Sequence, residues 1–325
     1  MNDHFCGWYY KCQSEKETLA VIPAVHRANG KTTCSIQLIT EAASWSVPFP
    51  GSAFHGDGMK VSIGENRFGP QGLHLHLRAP CLRASGTLRF GPFTPLRYDI
   101  MGPLRYAPFL ECRHSVFSMR HTVTGTLQVN GVPCVFQNGT GYAEGDRGRS
   151  FPKGYVWTQC ALPAGALMLA AADIPWGGFH VTGVTAAVLW QGRQYRLATY
   201  LGAKATDIRD GAVTIRQGRA RLTARLLEPA ASLSGPLPAA PWCGPSMSTP
   251  PAGPFTAFKS VKTPSLRWRS PTPPSNMNFR KNRLFDTLRP DGYNGFKRSF
   301  ARSRLCRTSL RSLTFPPPPW TPLPA

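Results

Sequence analysis

Apolar residues fall at every second position through most of the first 230 residues, and turn-forming Gly, Pro, Asn and Asp punctuate the runs. A half-buried strand produces this pattern, because successive side chains point to opposite faces. The alternation predicts strands over Thr18 to Ala24, Thr33 to Thr40, Leu73 to Leu77, Leu82 to Phe90 and Leu167 to Ala171. Further strands are predicted over His180 to Trp190, Tyr195 to Leu201, Ala212 to Ile215 and Ala220 to Leu227. Helical periodicity is almost absent. Short loops at Gln191-Gly192 and Asp210-Gly211 suit antiparallel hairpins. Many strands without intervening helices predict an all-β chain, an antiparallel barrel or sandwich.

The hairpin at Asn130-Gly131 can be registered from sequence, since its turn type requires positive φ at both positions. It pairs Val129 with Val132, Leu127 with Cys134 and Gly125 with Phe136, six residues on one core-facing side. Continuing this parity turns Asn138, Thr140, Tyr142, Glu144 and Asp146 inward on one strand. On the other it turns Phe117, Met119, His121 and Val123 inward. A bulge at Asn138-Gly139 would break the extrapolation. Without one, two carboxylates point into an interior lined by aromatics and a histidine. Buried carboxylates are costly unless paired, so such a placement marks function.

Composition divides the chain. Of its 325 residues 42% are apolar, and the formal net charge is +22. Residues 236–325 hold 14 Lys and Arg, 2 acids and 18 of the 32 prolines. No alternating run there exceeds a few residues. The expected organisation is therefore a β domain over residues 1–235 and a Pro/Arg/Ser-rich, disordered C-terminal tail over 236–325. A change of reading frame accounts for a shift this abrupt, and the β domain would then lack its last strand or two. Alternatively, the basic tail makes a nucleic-acid contact through Arg280, Lys281, Arg283, Lys297 and Arg298. The nucleic-acid hypothesis is the weakest of the three function classes considered. The nine cysteines are an odd number without a CxxC pair and read as buried free thiols of a reducing compartment. No secretion signal and no apolar run of spanning length is seen, so the expected location is cytoplasmic.

The densest chemistry lies in Gly141-Tyr142-Ala143-Glu144-Gly145-Asp146-Arg147-Gly148, followed by Ser150-Phe151-Pro152 and Trp157-Thr158-Gln159-Cys160. Acids, arginines, glycines and aromatics at this density suit a pocket mouth, but on chemistry alone they read more simply as a salt-bridged surface loop between strands. Three other stretches read more simply as structure. Glu111-Cys112-Arg113-His114 lacks zinc-site spacing, so His114 is expected to be a hydrogen-bonded strand residue. The histidines of Leu73-His74-Leu75-His76-Leu77 are expected on a solvent face, and Trp176 in an apolar turn. No metal site and no cofactor is expected.

Glu144, Gly148, Ser150-Phe151-Pro152 and Trp157-Thr158-Gln159-Cys160 resemble the central motif of the tocopherol cyclase family. Gly7-Trp8-Tyr9-Tyr10-Lys11 resembles that family's opening, and the resemblance runs in order from residue 5 to about 228. Gly145, Asp146 and Arg147 depart from it, standing where the family has Lys-Asn-Trp. The resemblance implies a two-lobed, lipocalin-like β architecture with an apolar cavity. It also implies an isomerase that closes a chromanol ring on a prenylated hydroquinone. That reaction needs an acid for the alkene, an aromatic wall for the cation and a group to hold the phenol oxygen. Glu144 or Asp146 would be the acid. Trp157, Tyr142, Trp8 and Tyr10 would offer ring faces, with Gln159 in the motif beside them. Arg147 or His121 would orient the phenol oxygens. The partner expected is an apolar prenylated aromatic or lipid, reached by peripheral association with a membrane. A non-catalytic binding protein for an apolar ligand is the alternative, since fold alone does not fix function.

Overall fold

The computed structural model describes residues 4–226 apart from 153, 177 and 210–211, together with three short strands at Lys259–Val261, Pro264–Arg267 and Phe285–Thr287. Among these residues there are strands and short 3-10 turns and no α-helix. The period-two pattern thus translates directly into structure. Leu82–Phe90 is a strand with the expected bounds, while Tyr195 to Leu201 ends early, turning into a 3-10 turn at Thr199–Leu201. The nucleic-acid contacts named above lie outside the described residues, as does most of the segment expected to be a disordered tail.

Four strands open the chain: β1 (His4–Gln13), β2 (Thr18–Ala28), β3 (Lys31–Thr40) and β4 (Ser44–Pro50). After them come β5 (Phe54–Asp57), β6 (Lys60–Ile63), β7 (Asn66–Gly69), β8 (Gly72–Ala79) and β9 (Leu82–Phe90). Two long strands, β10 (Cys112–Val129) and β11 (Val132–Gly148), complete an eleven-stranded antiparallel sheet in the order β4-β3-β2-β1-β11-β10-β9-β8-β7-β6-β5. The sheet curls until its ends face each other. Trp8 of β1 stacks on Phe54 of β5 at 5.9 Å, and Tyr10 on Phe68 of β7 at 6.2 Å. The enclosed core runs from Val47 through Ile36, Val21, Tyr10, Phe136, Leu127 and Leu75 to Ile63. Burying each of these side chains stabilises the fold by roughly 1.5–3 kcal/mol.

The second lobe is a pair of sheets. One holds β12 (Tyr155–Leu162), β13 (Gly165–Trp176), β14 (Phe179–Trp190) and β15 (Arg193–Ala198). The other holds β16 (Lys204–Arg209), β17 (Ala212–Gln217) and β18 (Ala220–Leu226), with Pro264–Arg267 beside β18. Leu167, Leu169, Val184, Ala186 and Val188 face the second of these sheets. The alternate residues, Ala166, Met168, Ala187 and Leu189, turn the other way, toward the outer face of the first lobe. Trp157 of β12 meets Tyr9 and Tyr142 there, in a cluster that also holds Ile22 and Met119. The connection between β9 and β10 crosses this seam and puts Ile100 and Met101 into it. Arg196 fastens that crossing by donating to the carbonyls of Tyr98 and Asp99.

The register of the Asn130-Gly131 hairpin is as expected, with φ of 50° and 83° at the turn. Beyond it the extrapolated parity fails. Gly125 faces Phe136 but Val123 faces Gly139, so β11 carries one extra residue, at exposed Asn138 with φ 51°. A one-residue bulge sends every later side chain to the opposite face. Gly139, Gly141, Ala143 and Gly145 therefore take the first-lobe core side, and Thr140, Tyr142, Glu144 and Asp146 take the seam between the lobes. Two register shifts in β10, around Ser118, likewise move Met119 to the seam and leave His121 in the core. Among the described residues the free thiols are Cys6, Cys12, Cys34, Cys112, Cys134 and Cys160, whereas Cys81 is disulfide-bonded, against the expectation of free thiols.

Candidate active site

The seam face of β11 is crossed on both sides by residues in register with it. Tyr9 of β1 sits opposite Glu144, Lys11 opposite Tyr142, and His114 of β10 opposite Asp146. Directly opposed residues share a face, so backbone pairing alone assembles Tyr9, Lys11, His114, Tyr142, Glu144 and Asp146 on one surface. Strand β12 supplies the facing wall through Trp157 and Gln159.

Glu144 is the centre. Its Oε2 accepts hydrogen bonds from the Tyr142 hydroxyl and from Trp157 Nε1 at 3.2 Å. His114 Nε2 lies 3.3 Å from the same oxygen, in ion-pair contact without hydrogen-bond alignment. The other imidazole nitrogen, Nδ1, pairs with Asp146 Oδ1 at 2.9 Å, and the Cys112 thiol approaches that oxygen at 3.6 Å. Glu144 is only 4% exposed, His114 12% and Asp146 22%, so the cluster opens toward solvent at the Asp146 end.

Electrostatics follow from this burial. Desolvation raises the Glu144 carboxyl and Asp146 raises it further, while His114 and the Tyr142 and Trp157 hydrogen bonds pull it back; the net direction is up. Burial by itself would lower His114, but Glu144 and Asp146 outweigh it and hold the imidazole up at about 9. The cluster thus presents two acids and an imidazole that share protons, with both the Glu144 carboxyl and the His114 imidazole held above their ordinary values.

Aromatic rings wall this cluster. Tyr9 packs edge-on to Trp157 at 5.5 Å and to Tyr142 at 6.4 Å. At the solvent end Phe151 stacks on Phe5 at 4.7 Å and on Tyr155 at 5.9 Å. His114, Glu144 and Asp146 also bring three ligand atoms within 4.8 Å of one another, a set with the chemistry to hold a divalent cation. Their mutual hydrogen bond and ion pair give the same atoms a complete role as a proton-bearing cluster.

Of the residues expected from sequence, Glu144, Asp146, Tyr142, Trp157 and Gln159 come together here. Trp8, Tyr10 and His121 do not, because they occupy the opposite face of the sheet. Trp8 donates from Nε1 to the Gly58 carbonyl at 2.8 Å, and Tyr10 is buried between Phe68 and Phe90. His121 packs on Phe90 and Phe93 and receives a contact from Ser118 Oγ at 3.1 Å; burial lowers its pKa to about 4. Arg147, on the first-lobe parity, is exposed. Sequence reasoning missed Tyr9, Lys11 and His114. Tyr9 and Lys11 lay inside the quoted opening motif, and the alternation of small residues with Thr140, Tyr142, Glu144 and Asp146 was the available sign that β11 has a crowded face and a chemical one.

Comparison with solved structures finds likeness to kievitone hydratase from Nectria haematococca, with a TM-score of 0.43 and 11% identity over 70% of this chain and 78% of that one. A second likeness is to CghA, with a TM-score of 0.49 and 11% identity over 90% of both chains. CghA with Sch210972 gives 0.49 and 12% over 89% of both. No protein-family model matches the sequence, and no curated protein does.

Proposed function

We propose that this chain is an acid catalyst of ring closure on a prenylated aromatic, an isomerase-type cyclase with Glu144 as the proton donor. The observation that carries this reading is a buried carboxyl, raised above its ordinary range chiefly by desolvation, whose conjugate base is already provided for. As the proton leaves, the charge appearing on Oε2 meets the Tyr142 hydroxyl, the Trp157 N–H and the His114 imidazolium. Donors fixed in advance at the place where charge develops cost no reorganisation during the reaction.

The step balances as follows. The alkene π pair takes the Glu144 proton to form a C–H bond, leaving a tertiary cation. A lone pair of the phenol oxygen then forms the C–O bond, and the phenol proton passes to the Glu144 carboxylate. No atom is gained or lost. The rings of Tyr9, Tyr142 and Trp157 shelter the cation, with the carboxylate beside it. Asp146 holds the His114 ring in orientation through Nδ1. The seam, and not the interior of the first-lobe barrel, is therefore where the ligand belongs in this reading. The resemblance of Glu144, Phe151-Pro152 and Trp157 to the tocopherol cyclase motif supports the same chemistry.

The test is incubation of the full chain with 2-geranylhydroquinone, followed by chromatography and mass spectrometry for a product of unchanged mass and a new chromanol ring. Formation of that product, lost in Glu144→Gln, is expected. Tight binding without conversion would instead favour the non-catalytic alternative. Turnover that survives Glu144→Gln would displace Glu144 as the acid.

A further inference from the structure

The seam opens at its Asp146 end, and two unlike surfaces flank that opening. Strand β12 begins there with Tyr155 opposite Ala172, but β13 and β14 run on together past it. Asp173 pairs with Thr182, Ile174 with Val181 and Pro175 with His180, and among the described residues no third strand joins them. The four positions beyond Ala172 make an arm of roughly 13 Å. Residues paired across strands share a face, as do residues two apart along one. Ile174, Phe179 and Val181 therefore continue the face that Met168 and Ala187 turn to the seam. The wall of the seam thus runs outward as an apolar ramp, with Phe179 58% and Val181 39% exposed. A two-stranded ribbon is marginal in water by itself, and an uncovered apolar face on one marks a contact surface.

The first lobe ends in positive charge beside the arm. Ring stacks lead from Tyr155 through Phe151 to Phe5, which is paired with Gly148 at the end of β11. Arg113 and Arg147 stand directly opposite each other there, with Arg149 next in sequence after Gly148. Arg27, opposite His4, and Lys31, opposite Ala28, extend the row along the same rim. All five are exposed, and among the described residues none is ion-paired. The acids nearby, Glu111, Asp146 and Asp173, are half-buried, and Asp146 is held by His114. Like charges directly opposed across two strands are destabilising, so a rim that gathers them without exposed acids suits an anionic partner.

We infer that this end of the molecule docks on an anionic lipid bilayer, with Phe179 and Val181 entering the acyl boundary and the arginine rim lying on the phosphates. Charge and apolar surface together select this partner. A nucleic acid satisfies the arginines but offers the ramp no apolar layer. A second copy covers the ramp but sets one arginine rim against another. A bilayer supplies negative charge at its surface and an apolar layer a few ångströms below it, within reach of the arm. Docked in this way, the open end of the seam faces the acyl layer, and an apolar ligand passes along the ramp without crossing water. The docking stands apart from the cyclase reading and serves a non-catalytic binding protein equally.

The experiment mixes the full chain with vesicles of phosphatidylcholine, alone or with about one-third phosphatidylserine. Residues 236–325 are basic as well, so the decisive readout is local: hydrogen exchange within residues 173–182. Anionic vesicles are expected to slow exchange there, and neutral vesicles to leave it unchanged. Flotation should show the double variant Arg113→Gln with Arg147→Gln partitioning about twentyfold more weakly, near fivefold for each arginine. Phe179→Ser should cost about tenfold, a ratio that added salt leaves unchanged while it weakens wild type. The wild-type exchange measurement stands even where a variant fails to fold. Attachment to anionic vesicles with exchange in 173–182 unchanged overturns the inference and assigns the attachment to the tail. Concentration-dependent protection of 173–182 without vesicles overturns it in favour of a second copy. Equal protection of 173–182 by single-stranded DNA overturns it in favour of a nucleic acid. None of these outcomes touches the cyclase reading, which is tested by turnover.

Discussion

Three groups converge on one oxygen of Glu144, and each has a different consequence. The Tyr142 and Trp157 hydrogens orient the carboxyl, while His114 supplies the charge that its conjugate base needs. Glu144→Gln keeps the shape and removes the proton, so kcat should fall at least about a hundredfold while affinity changes less than about threefold. Single-turnover kinetics beside calorimetry checks the split. The same residues set a pH dependence. His114 is raised from 6.5 to about 9 in the folded chain, so the folded state holds its proton more tightly than the unfolded one. Its stabilising contribution is complete below about 6.5 and disappears as pH rises through about 9. Glu144 is also raised, so it acts in the same direction. Urea midpoints measured across that window should decline in wild type, and His114→Asn should flatten the decline. A slope that is unchanged in His114→Asn would remove the imidazole from this role.

At the scale of the element, β11 works because its two faces are unlike. A Cβ on Gly141 would come within 2.2 Å of His121 Nε2, and one on Gly145 within 2.8 Å of Phe117. The small face lets β1, β11 and β10 lie close beneath bulky side chains, which holds the chemical face of the same strand in place. Gly145 thus has a packing reason to be glycine. Gly141→Ala should destabilise the fold by about 1–3 kcal/mol through overpacking. In a His121→Ala background the same change should cost much less, because the obstructing ring is gone. A denaturant double-mutant cycle measures this coupling, and additive costs would contradict the contact.

At the scale of the molecule, the site exists only where the lobes meet. Arg120 of β10 ties them, donating from Nη1 to the carbonyls of Leu162 at 3.0 Å and Pro163 at 3.2 Å. Arg120→Met should lower stability by about 1.5–3 kcal/mol, the range for hydrogen bonds from a charged donor. It should reduce turnover more than it disturbs the first-lobe core, as read by calorimetry beside activity. No helix among the described residues is long and apolar enough to cross a membrane. The composition of residues 236–325 leads us to expect that trypsin removes this basic segment and leaves residues 4–226 intact. The gene sequence around codons 229–241 would reveal a frame change, while a protease-resistant tail in an unbroken frame would refute that expectation. Within the segment, Pro264–Arg267 pairs with β18, so its removal should expose a strand edge and promote association, visible by light scattering.

Alternation and turn chemistry were local, and the sequence by itself determined what they govern: the strands, the Asn130-Gly131 register and the all-β class. Glu144, Asp146 and Trp157 were also named from sequence, through the motif resemblance, since their density of acids and aromatics fits a surface loop as well as a pocket. The face they occupy was decided only in three dimensions. One extra residue at Asn138 carries Glu144 from the barrel interior to the seam, and periodicity cannot show whether a strand bulges. His121 and Tyr10 left the site by the same parity, and His114 and Tyr9 entered it through cross-strand pairing with Asp146 and Glu144. Lys11 meets Gln159 across 148 positions of chain. Such contacts depend on how two lobes pack, a long-range property that no spacing along the chain encodes.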